Sequence, residues 1–397
     1  MTLADERDDR AGEELARYLL DTGALAADWV GTFRAVPRSL FLPEPVWAYD
    51  MGTGRSEPVH RADADAWRGA AFADVPLVTQ WDDGRHTGTA PGTVPTSSAS
   101  MPSVVTAMLG ELDVREGVRV LEIGTGTGWN AGLLTHRLGP GQVVSVEIDG
   151  AVAVRARAAL TRAGLAGVLV HGDGQEGWAA GAPYDRVIVT AGVREVSPHW
   201  LAQTRPGGVV LAPFGTHYSD QDALVRLTRR EDGSAGGPFV RMVEFMKLRA
   251  QRLDWGRFDG HVVDFPGGAE VSGTAVGMGE LGGRYDAVRF VMGLCVPDCA
   301  HVVNRREDGV GVDGSGTAWF FDLGSRSWAA VDFRRGEADA TVYQYGPRRL
   351  WDEVERALGW WKGLGGPGVE RFGLTVAADG GARPWFGEPG RVLPRFA

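Results

Sequence analysis

The stretch that most constrains the fold of this chain runs from Val118 to Asp149 and reads VRVLEIGTGTGWNAGLLTHRLGPGQVVSVEID. An apolar run leads into the glycine-rich turn Gly124–Gly128, and a helix-like segment and a second apolar run ending in Glu147 follow. This order predicts a strand, a turn, a helix and a strand, which form a nucleotide-binding βαβ unit. A dinucleotide fingerprint requires a third glycine where this chain has Trp129. The spacing therefore argues against a dinucleotide as the ligand.

Strand-like and helix-like segments alternate regularly from Ser100 onward. Apolar runs of strand length are separated by segments with helical periodicity, which predicts a parallel sheet with both faces covered. The predicted strands are Val118–Ile123, Val143–Glu147, Val168–His171, Tyr184–Ala191 and the PGGVVLAPFG run, and the predicted helices begin at Pro102, Ala151 and Pro198.

At 397 residues the chain is long for one domain, and we divide it into three parts. Residues 1–98 hold two N-terminal helices and, over 48–98, either a long ordered loop or a small subregion. Residues 99–231 form the αβ core, and residues 232–397 are predicted to form a second α+β domain. The C-terminal elements are strand-like runs at Ala287–Met292, Thr317–Phe321 and Trp328–Phe333, the amphipathic helix RRLWDEVERALGWWKGL and the hairpin FGLTVAADGGARPWF. The tryptophans of residues 232–397 are compatible with a buried core or with a surface that docks a peptide.

Composition excludes several classes of function. The net charge is −10, so no basic surplus is available for nucleic acid. The polar N-terminal stretch MTLADERDDRAGEEL does not resemble a signal peptide, and no apolar run approaches the ~20 residues of a membrane span. Cys295 and Cys299 are predicted to be buried thiols rather than part of a metal site, and we expect a cytoplasmic protein without a metal.

The acidic residue Glu122 and the following GTGTG turn resemble the S-adenosylmethionine-dependent methyltransferases. The resemblance implies a Rossmann-like class I methyltransferase fold and three contact zones for the donor. The turn fits the amino-acid end, Glu147 fits the ribose hydroxyls, and HGDGQEGW after the third strand fits the adenine. The residues that we expect to hold S-adenosylmethionine are Glu122, Gly124, Thr125, Gly126, Gly128, Glu147, Ile148, Asp173, Gly174 and Thr190.

A second set of motifs concerns the acceptor. VPRSLFLPEPVWAYD, a serine-x-proline before a helix, EIGTGTG, GDG, YDRVIVTAG and TRPGG together resemble protein L-isoaspartyl O-methyltransferase over about residues 20–215. The family's active-site serine maps to Ser100, and we add Ser98 and Thr96 from the same hydroxyl cluster as candidate catalytic residues. A hydrolase is poorly supported, because no G-x-S-x-G elbow surrounds Ser100.

A carboxylate acceptor suits such a site. With an unperturbed pKa near ~4, a carboxylate is already ionised at neutral pH and needs placement rather than a general base. Hydroxyls can hold one oxygen while the other attacks the methyl group of the donor.

The chain also departs from the family pattern. It adds a large C-terminal region, and residues 78–103 form a longer, hydroxyl-rich acceptor loop. Both features resemble homologues dedicated to ribosomally made, post-translationally modified peptides, above all the graspetide branch. That resemblance implies a macrocyclised precursor as substrate, an aspartate side chain as acceptor, and closure of the ester to a succinimide (aspartimide). We expect residues 232–397 to recognise this precursor. The alternatives are repair of isoaspartyl damage in proteins, a donor-binding protein without turnover, and methylation of a small molecule.

Overall fold

The computed structural model describes residues 3–305 and 315–396. Met1 and Thr2 of the charged N-terminal stretch lie outside these residues. The chain divides into two compact units. The first comprises residues 1–191, 197–212 and 228–235, and the second comprises 192–196, 213–227 and 236–397. These units do not coincide with the predicted parts 1–98, 99–231 and 232–397, because the chain passes between the units several times before residue 236.

The first unit carries most of the helices. These are α1 (Leu3–Asp21), α2 (Val30–Ala35), α3 (Ala64–Ala71), α4 (Pro102–Leu112), α5 (Trp129–Leu138), α6 (Gly150–Arg162) and α7 (Pro198–Gln203). Its strands are β1 (Val46–Tyr49), β2 (Ser56–Val59), β3 (Leu77–Trp81), β4 (Pro95–Ala99), β5 (Val120–Ile123), β6 (Val143–Glu147), β7 (Val168–His171), β8 (Tyr184–Val189) and β9 (Thr204–Gly215), the last of which ends in the second unit.

The predicted parallel sheet is confirmed in the first unit. Its strands lie in the order β9-β8-β5-β6-β7, and each neighbouring pair is parallel. The chain moves outward from β5 in both directions, so the turn after β5 lies at the point where the strand order reverses. Open α/β sheets bind their ligands at this point, outside the carboxyl ends of the strands.

Residues 48–98 form a small subregion rather than a long loop. Strands β1 to β4 form a separate sheet in the order β2-β1-β3-β4, and helix α3 packs on it. A cluster of buried apolar side chains, including Leu42, Trp67, Leu77 and Ala99, holds this sheet together. It fixes β4, which carries the predicted acceptor hydroxyls.

In the part of the chain that the structure describes, the second unit contains two groups of strands and two α-helices. One group has the order β18-β17-β11-β10, and the other is a five-stranded sheet in the order β12-β16-β15-β14-β13. The elements are β10 (Gln221–Arg229, ending in the first unit), β11 (Ala235–Glu244), β12 (Glu270–Thr274), α8 (Ala287–Cys295), β13 (Cys299–Arg305), β14 (Gly316–Asp322), β15 (Trp328–Phe333), β16 (Ala340–Tyr345), α9 (Leu350–Gly363), β17 (Phe372–Val376) and β18 (Ala382–Phe386).

One predicted element of this unit is wrong. The run Ala287–Met292, predicted as a strand, belongs to helix α8. Its buried residues Val288, Val291, Met292 and Cys295 recur at helical spacing, and short apolar runs are ambiguous between the two structures. The predicted helix at 348–364 and the C-terminal hairpin are confirmed.

The aromatic residues of this unit are divided between the core and the surface, where Trp255 and Phe265 are exposed. Trp328 and Trp351 are almost completely buried, and Trp385 is buried as well. Cys295 and Cys299 are also buried, as the sequence predicts. Across the described residues, no helix combines the length and the apolar character that a membrane crossing requires.

Candidate active site

The glycine-rich turn follows β5 and leads into α5. Gly124 and Gly126 have φ values of +93° and +53°, which side chains on L-residues rarely adopt. A Cβ atom on Gly124 would lie 2.8 Å from Thr190 Oγ1, and one on Gly126 would lie 3.3 Å from the carbonyl oxygen of Ser98. The turn therefore exposes backbone without side chains at the point where the strand order reverses, and a ligand can approach it closely. Gly128 is the N-cap of α5.

Glu147 lies at the carboxyl end of β6 beside this turn. Its side chain accepts hydrogen bonds from the backbone N–H of Gly126, at 2.9 Å, and of Asp149, at 3.0 Å. The residue is 8% exposed. The backbone donors hold the carboxylate against the turn, and Asp149 in turn caps α6 by accepting from Ala151 N and Val152 N.

Glu122 lies beneath the turn and is completely buried. Asn130 Nδ2 donates to one of its oxygens at 2.7 Å, and Ser145 donates to the other. Ser145 also hydrogen-bonds to Thr125 of the turn, at 2.6 Å. Burial raises the pKa of Glu122 to about 7, and the nearby charge of Glu147 acts in the same direction, whereas the two hydrogen bonds oppose the shift. In this position Glu122 supports the turn from below.

The remaining predicted donor residues follow β6 and β7. Asp173 is exposed and accepts a hydrogen bond from the Gln175 N–H at 2.9 Å. Gly174 is buried, and a Cβ atom there would lie 2.6 Å from Ile123 Cγ2. Ile148 is 42% exposed, so its side chain is available to cover a flat ring. The structure therefore brings these residues to the same edge of the sheet as the glycine turn.

Thr190 follows β8 on the other side of the turn. Its hydroxyl donates to the carbonyl oxygens of Ile123, at 3.0 Å, and of Gly124. Both acceptors belong to the end of β5 and the start of the turn, so Thr190 ties the turn to the neighbouring strand.

The predicted acceptor hydroxyls differ in their environment. The Thr96 hydroxyl donates to Gln80 Oε1 at 2.9 Å and accepts from the Asp83 N–H at 3.1 Å. The hydroxyls of Ser98 and Ser100 are half-buried and form no side-chain hydrogen bond within residues 3–305 and 315–396. These two hydroxyls are therefore available to a substrate, whereas that of Thr96 already binds protein groups.

Two residues that sequence reasoning missed connect the acceptor strand to the rest of the site. Arg38 is buried and donates to the carbonyl of Ala99 at 2.7 Å, and burial lowers its pKa to about 9. Gln80 accepts from Thr96 and donates through Nε2 to Asp149 Oδ2 at 3.1 Å. Arg38 belongs to the motif VPRSLFLPEPVWAYD and Gln80 to the acceptor loop 78–103, but neither pattern indicated a partner so distant along the chain.

Comparison with known proteins agrees with this geometry. The family profile described as Protein-L-isoaspartate(D-aspartate) O-methyltransferase matches residues 64–252. A Protein-L-isoaspartate O-methyltransferase of Pyrococcus horikoshii is 40% identical over 136 residues, which cover 34% of this chain and 61% of that protein. Protein-L-isoaspartate O-methyltransferase 1 of Rhodopseudomonas palustris is 34% identical over 230 residues, which cover 57% of this chain and 76% of the relative. The chain belongs to the protein-L-isoaspartate O-methyltransferase family.

Membership of this family confirms the enzyme class and the cofactor expected from the sequence. The chain is an S-adenosylmethionine-dependent O-methyltransferase of the isoaspartyl type. A solved structure titled protein-L-isoaspartate O-methyltransferase superposes with a TM-score of 0.52 and 21% identity, covering 95% of this chain and 100% of the other. It confirms the class I methyltransferase fold.

Proposed function

We propose that this methyltransferase esterifies a free carboxylate of an aspartate-derived residue in a peptide or protein, with an L-isoaspartyl residue as the acceptor. One observation carries the proposal: the carbonyl of Ser98 lies so close to Gly126 that a Cβ atom there would be 3.3 Å away. Strand β4, which carries the free Ser98 hydroxyl, thus lies directly against the glycine-rich turn Gly124–Gly128, which we call the donor turn. The relatives are protein-L-isoaspartate O-methyltransferases by name, which favours the isoaspartyl acceptor.

The residues around the turn fit S-adenosylmethionine, because bare glycine backbone lies beside a held carboxylate. The bound donor supplies an electrophilic methyl group. Glu147 would accept hydrogen bonds from the ribose hydroxyls, and the turn Gly124–Gly128 would hold the amino-acid end. Asp173 would accept from the adenine amine, with Ile148 covering the ring and Gly174 leaving room for it. We assign positioning roles to Glu122, Thr125 and Thr190, whose side chains support the turn.

The acceptor carboxylate is ionised at neutral pH and is itself the nucleophile. We assign to Ser98 and Ser100 the task of donating hydrogen bonds to one carboxylate oxygen, so that the other oxygen is aligned with the methyl group. Thr96 acts as a positioning residue, since its hydroxyl is already bound to Gln80 and Asp83. Alignment and exclusion of water provide the acceleration, because no proton has to be removed.

The product of this reaction is a methyl ester that closes on its own. The backbone amide nitrogen of the following residue attacks the ester carbonyl, methanol leaves, and a succinimide forms. Hydrolysis of the succinimide yields either an aspartyl or an isoaspartyl linkage. By forming the ester, the enzyme converts a carboxylate oxygen into a methoxy group that can leave as methanol. Ring closure then follows without further catalysis.

A second candidate is an aspartate side chain in a macrocyclised, graspetide-type precursor peptide. The observation that favours it is the long connection between β3 and β4, at residues 82–94, which leads into the strand that carries Ser98. The second unit does not favour this candidate over repair. The solved isoaspartyl methyltransferase has a similar fold over 95% of this chain, so such a unit does not distinguish the two activities.

Intact mass spectrometry after incubation with S-adenosylmethionine separates the two candidates. The acceptors are an isoaspartyl peptide, the same peptide with a normal aspartate, and the cyclised precursor encoded beside the gene. Methylation of the isoaspartyl peptide alone is the expected result. Methyl gain followed by net loss of one water on the precursor alone would replace the first candidate by the second. No transfer to any of the three would contradict both.

A further inference from the structure

A cavity of about 290 Å³ lies beside the donor turn in the first unit. One wall is the segment 41–44, and the opposite wall is one face of helix α6. Ser97 and Thr79 of the acceptor sheet line it, and so does Gly126 of the turn. The cavity thus continues outward from the place where acceptor strand and donor turn meet. We call it the side cavity.

The wall formed by α6 has a regular composition. Val152, Arg155, Ala159 and Arg162 recur at helical spacing and line the side cavity together with Ala158. Alanine side chains at the middle of this face leave space for a ligand. The two arginines lie on either side of that space. This face of α6 therefore offers room for a peptide side chain and carries positive charge.

The charged side chains that line the side cavity differ in their hydrogen bonds. Arg162 donates to the carbonyl of Leu40 at 3.2 Å, and Glu44 accepts from the Arg61 N–H at 3.2 Å. Arg155 is exposed and forms neither a hydrogen bond nor an ion pair with any residue in 3–305 or 315–396. The lining thus holds two arginines and one glutamate, a surplus of one positive charge, and the Arg155 guanidinium is the one of these groups without a protein partner in the described residues.

We propose that Arg155 is a specificity-determining residue that binds a second carboxylate of the acceptor peptide, on a residue adjacent to the one that is methylated. This inference rests on the proposed function, since it assumes a peptide acceptor at β4. A guanidinium binds a carboxylate through two parallel hydrogen bonds, which fixes orientation as well as charge. An acidic neighbour in the side cavity would hold the peptide while Ser98 and Ser100 hold the reacting carboxylate.

The test compares isoaspartyl peptides that differ only in the neighbouring residue, which is either Glu or Gln, placed before or after the isoaspartyl residue. The wild-type enzyme should show a KM about tenfold lower for one Glu peptide than for its Gln counterpart, as expected for a charge-assisted pair. Arg155→Gln should remove this preference, and Arg155→Glu should reverse it. KM for S-adenosylmethionine should stay unchanged in both variants.

Arg157→Gln is the matched control. Arg157 lies on the same helix and is exposed, but it does not line the side cavity, and its Nη2 donates to the Leu169 carbonyl. This variant should keep the wild-type preference.

Three results would overturn the proposal. One is a wild-type enzyme that methylates the Glu and Gln peptides equally well. Another is a preference that survives in Arg155→Gln, and the third is a raised KM for the methyl donor in that variant, which would assign Arg155 to donor binding. In each of these cases isoaspartyl methylation itself stands. Failure of the wild-type enzyme to methylate any of the peptides would instead contradict the proposed function, and the inference would fall with it.

Discussion

The carboxyl edge of the parallel sheet in the first unit differs from the five-stranded sheet of the second in how it treats polar groups. Beside the parallel edge, Ser98 on β4 and Ser100 just after it leave their hydroxyls without protein partners in the described chain. In the second unit, Arg348 donates to Glu353 and Asp322, each at 2.7 Å. His301 stacks on Tyr218 and on Phe320, and burial lowers its pKa to about 3. The charged groups there hold the fold, whereas the two serine hydroxyls beside the parallel edge are available for chemistry.

Arg348→Met should have the largest effect, and the effect should fall on stability rather than on catalysis. Arg348, Glu353 and Asp322 have side chains only 16%, 4% and 8% exposed, so removing the cation leaves two carboxylates without their partner. A loss of about 3–5 kcal/mol in the free energy of unfolding is expected, measured by urea denaturation. Arg334→Met, at the more exposed pair with Asp332, should have a much smaller effect. A stable Arg348→Met with reduced methyl transfer would erase the contrast between the units.

Glu122→Gln should change how stability depends on pH. The folded-state pKa of Glu122 is about 7, above the ordinary value of 4.5. Between these values the folded protein keeps a proton that the unfolded chain has lost, so the residue destabilises the fold as pH rises through this window. The free energy of unfolding of the glutamine variant, relative to that of the wild type, should therefore rise by up to about 3 kcal/mol between pH 4.5 and 7. This advantage should persist above pH 7. Glu116→Gln, at an exposed position, is the control. An equal difference in the free energy of unfolding between Glu122→Gln and the wild type at pH 5 and at pH 8 would contradict this prediction.

Gly124→Ala should weaken donor binding by about tenfold to a hundredfold. The residue has φ of +93°, and the new Cβ atom would lie 2.8 Å from Thr190 Oγ1. A left-handed alanine costs about 1–2 kcal/mol, and displacement of the turn adds to this. Titration calorimetry with S-adenosylhomocysteine measures the effect. Gly110→Ala, in α4 with open space at its Cβ, is the control and should bind normally. A wild-type affinity for S-adenosylhomocysteine in Gly124→Ala would show that the donor does not bind at this turn.

Ser100→Ala should have the smallest effect of the four, a fall in kcat of about tenfold with unchanged donor affinity. One hydrogen bond to the ionised acceptor carboxylate is lost. Bonds to charged groups contribute about 1.5–3 kcal/mol, and the lower end of this range applies because Ser98 can still donate to the carboxylate. Steady-state kinetics with an isoaspartyl peptide provide the measurement, and Ser103→Ala in the first turn of α4 is the control. A loss of donor affinity in Ser100→Ala, with kcat intact, would place this hydroxyl on the donor side of the site.

The sequence predicted the parts of the site that are close together along the chain. Strands Val143–Glu147 and Val168–His171 have the predicted bounds, because an apolar run followed by glycine and an acidic residue is a local signal. The contact of Arg38 with Ala99 and that of Gln80 with Asp149 join segments about sixty or more positions apart. Such contacts arise from packing, and periodicity does not encode them. The same limit explains why residues 48–98 did not reveal a sheet.

The most direct test of the account is a crystal structure of the enzyme with S-adenosylhomocysteine and an isoaspartyl peptide. We expect the Glu147 carboxylate within hydrogen-bond distance of both ribose hydroxyls. We also expect the acceptor carboxylate within hydrogen-bond distance of the Ser98 or Ser100 hydroxyl, facing the donor sulfur. A donor bound away from the Gly124–Gly128 turn, or a peptide that enters the site without approaching β4, would contradict the central claim that this edge of the sheet performs the methyl transfer.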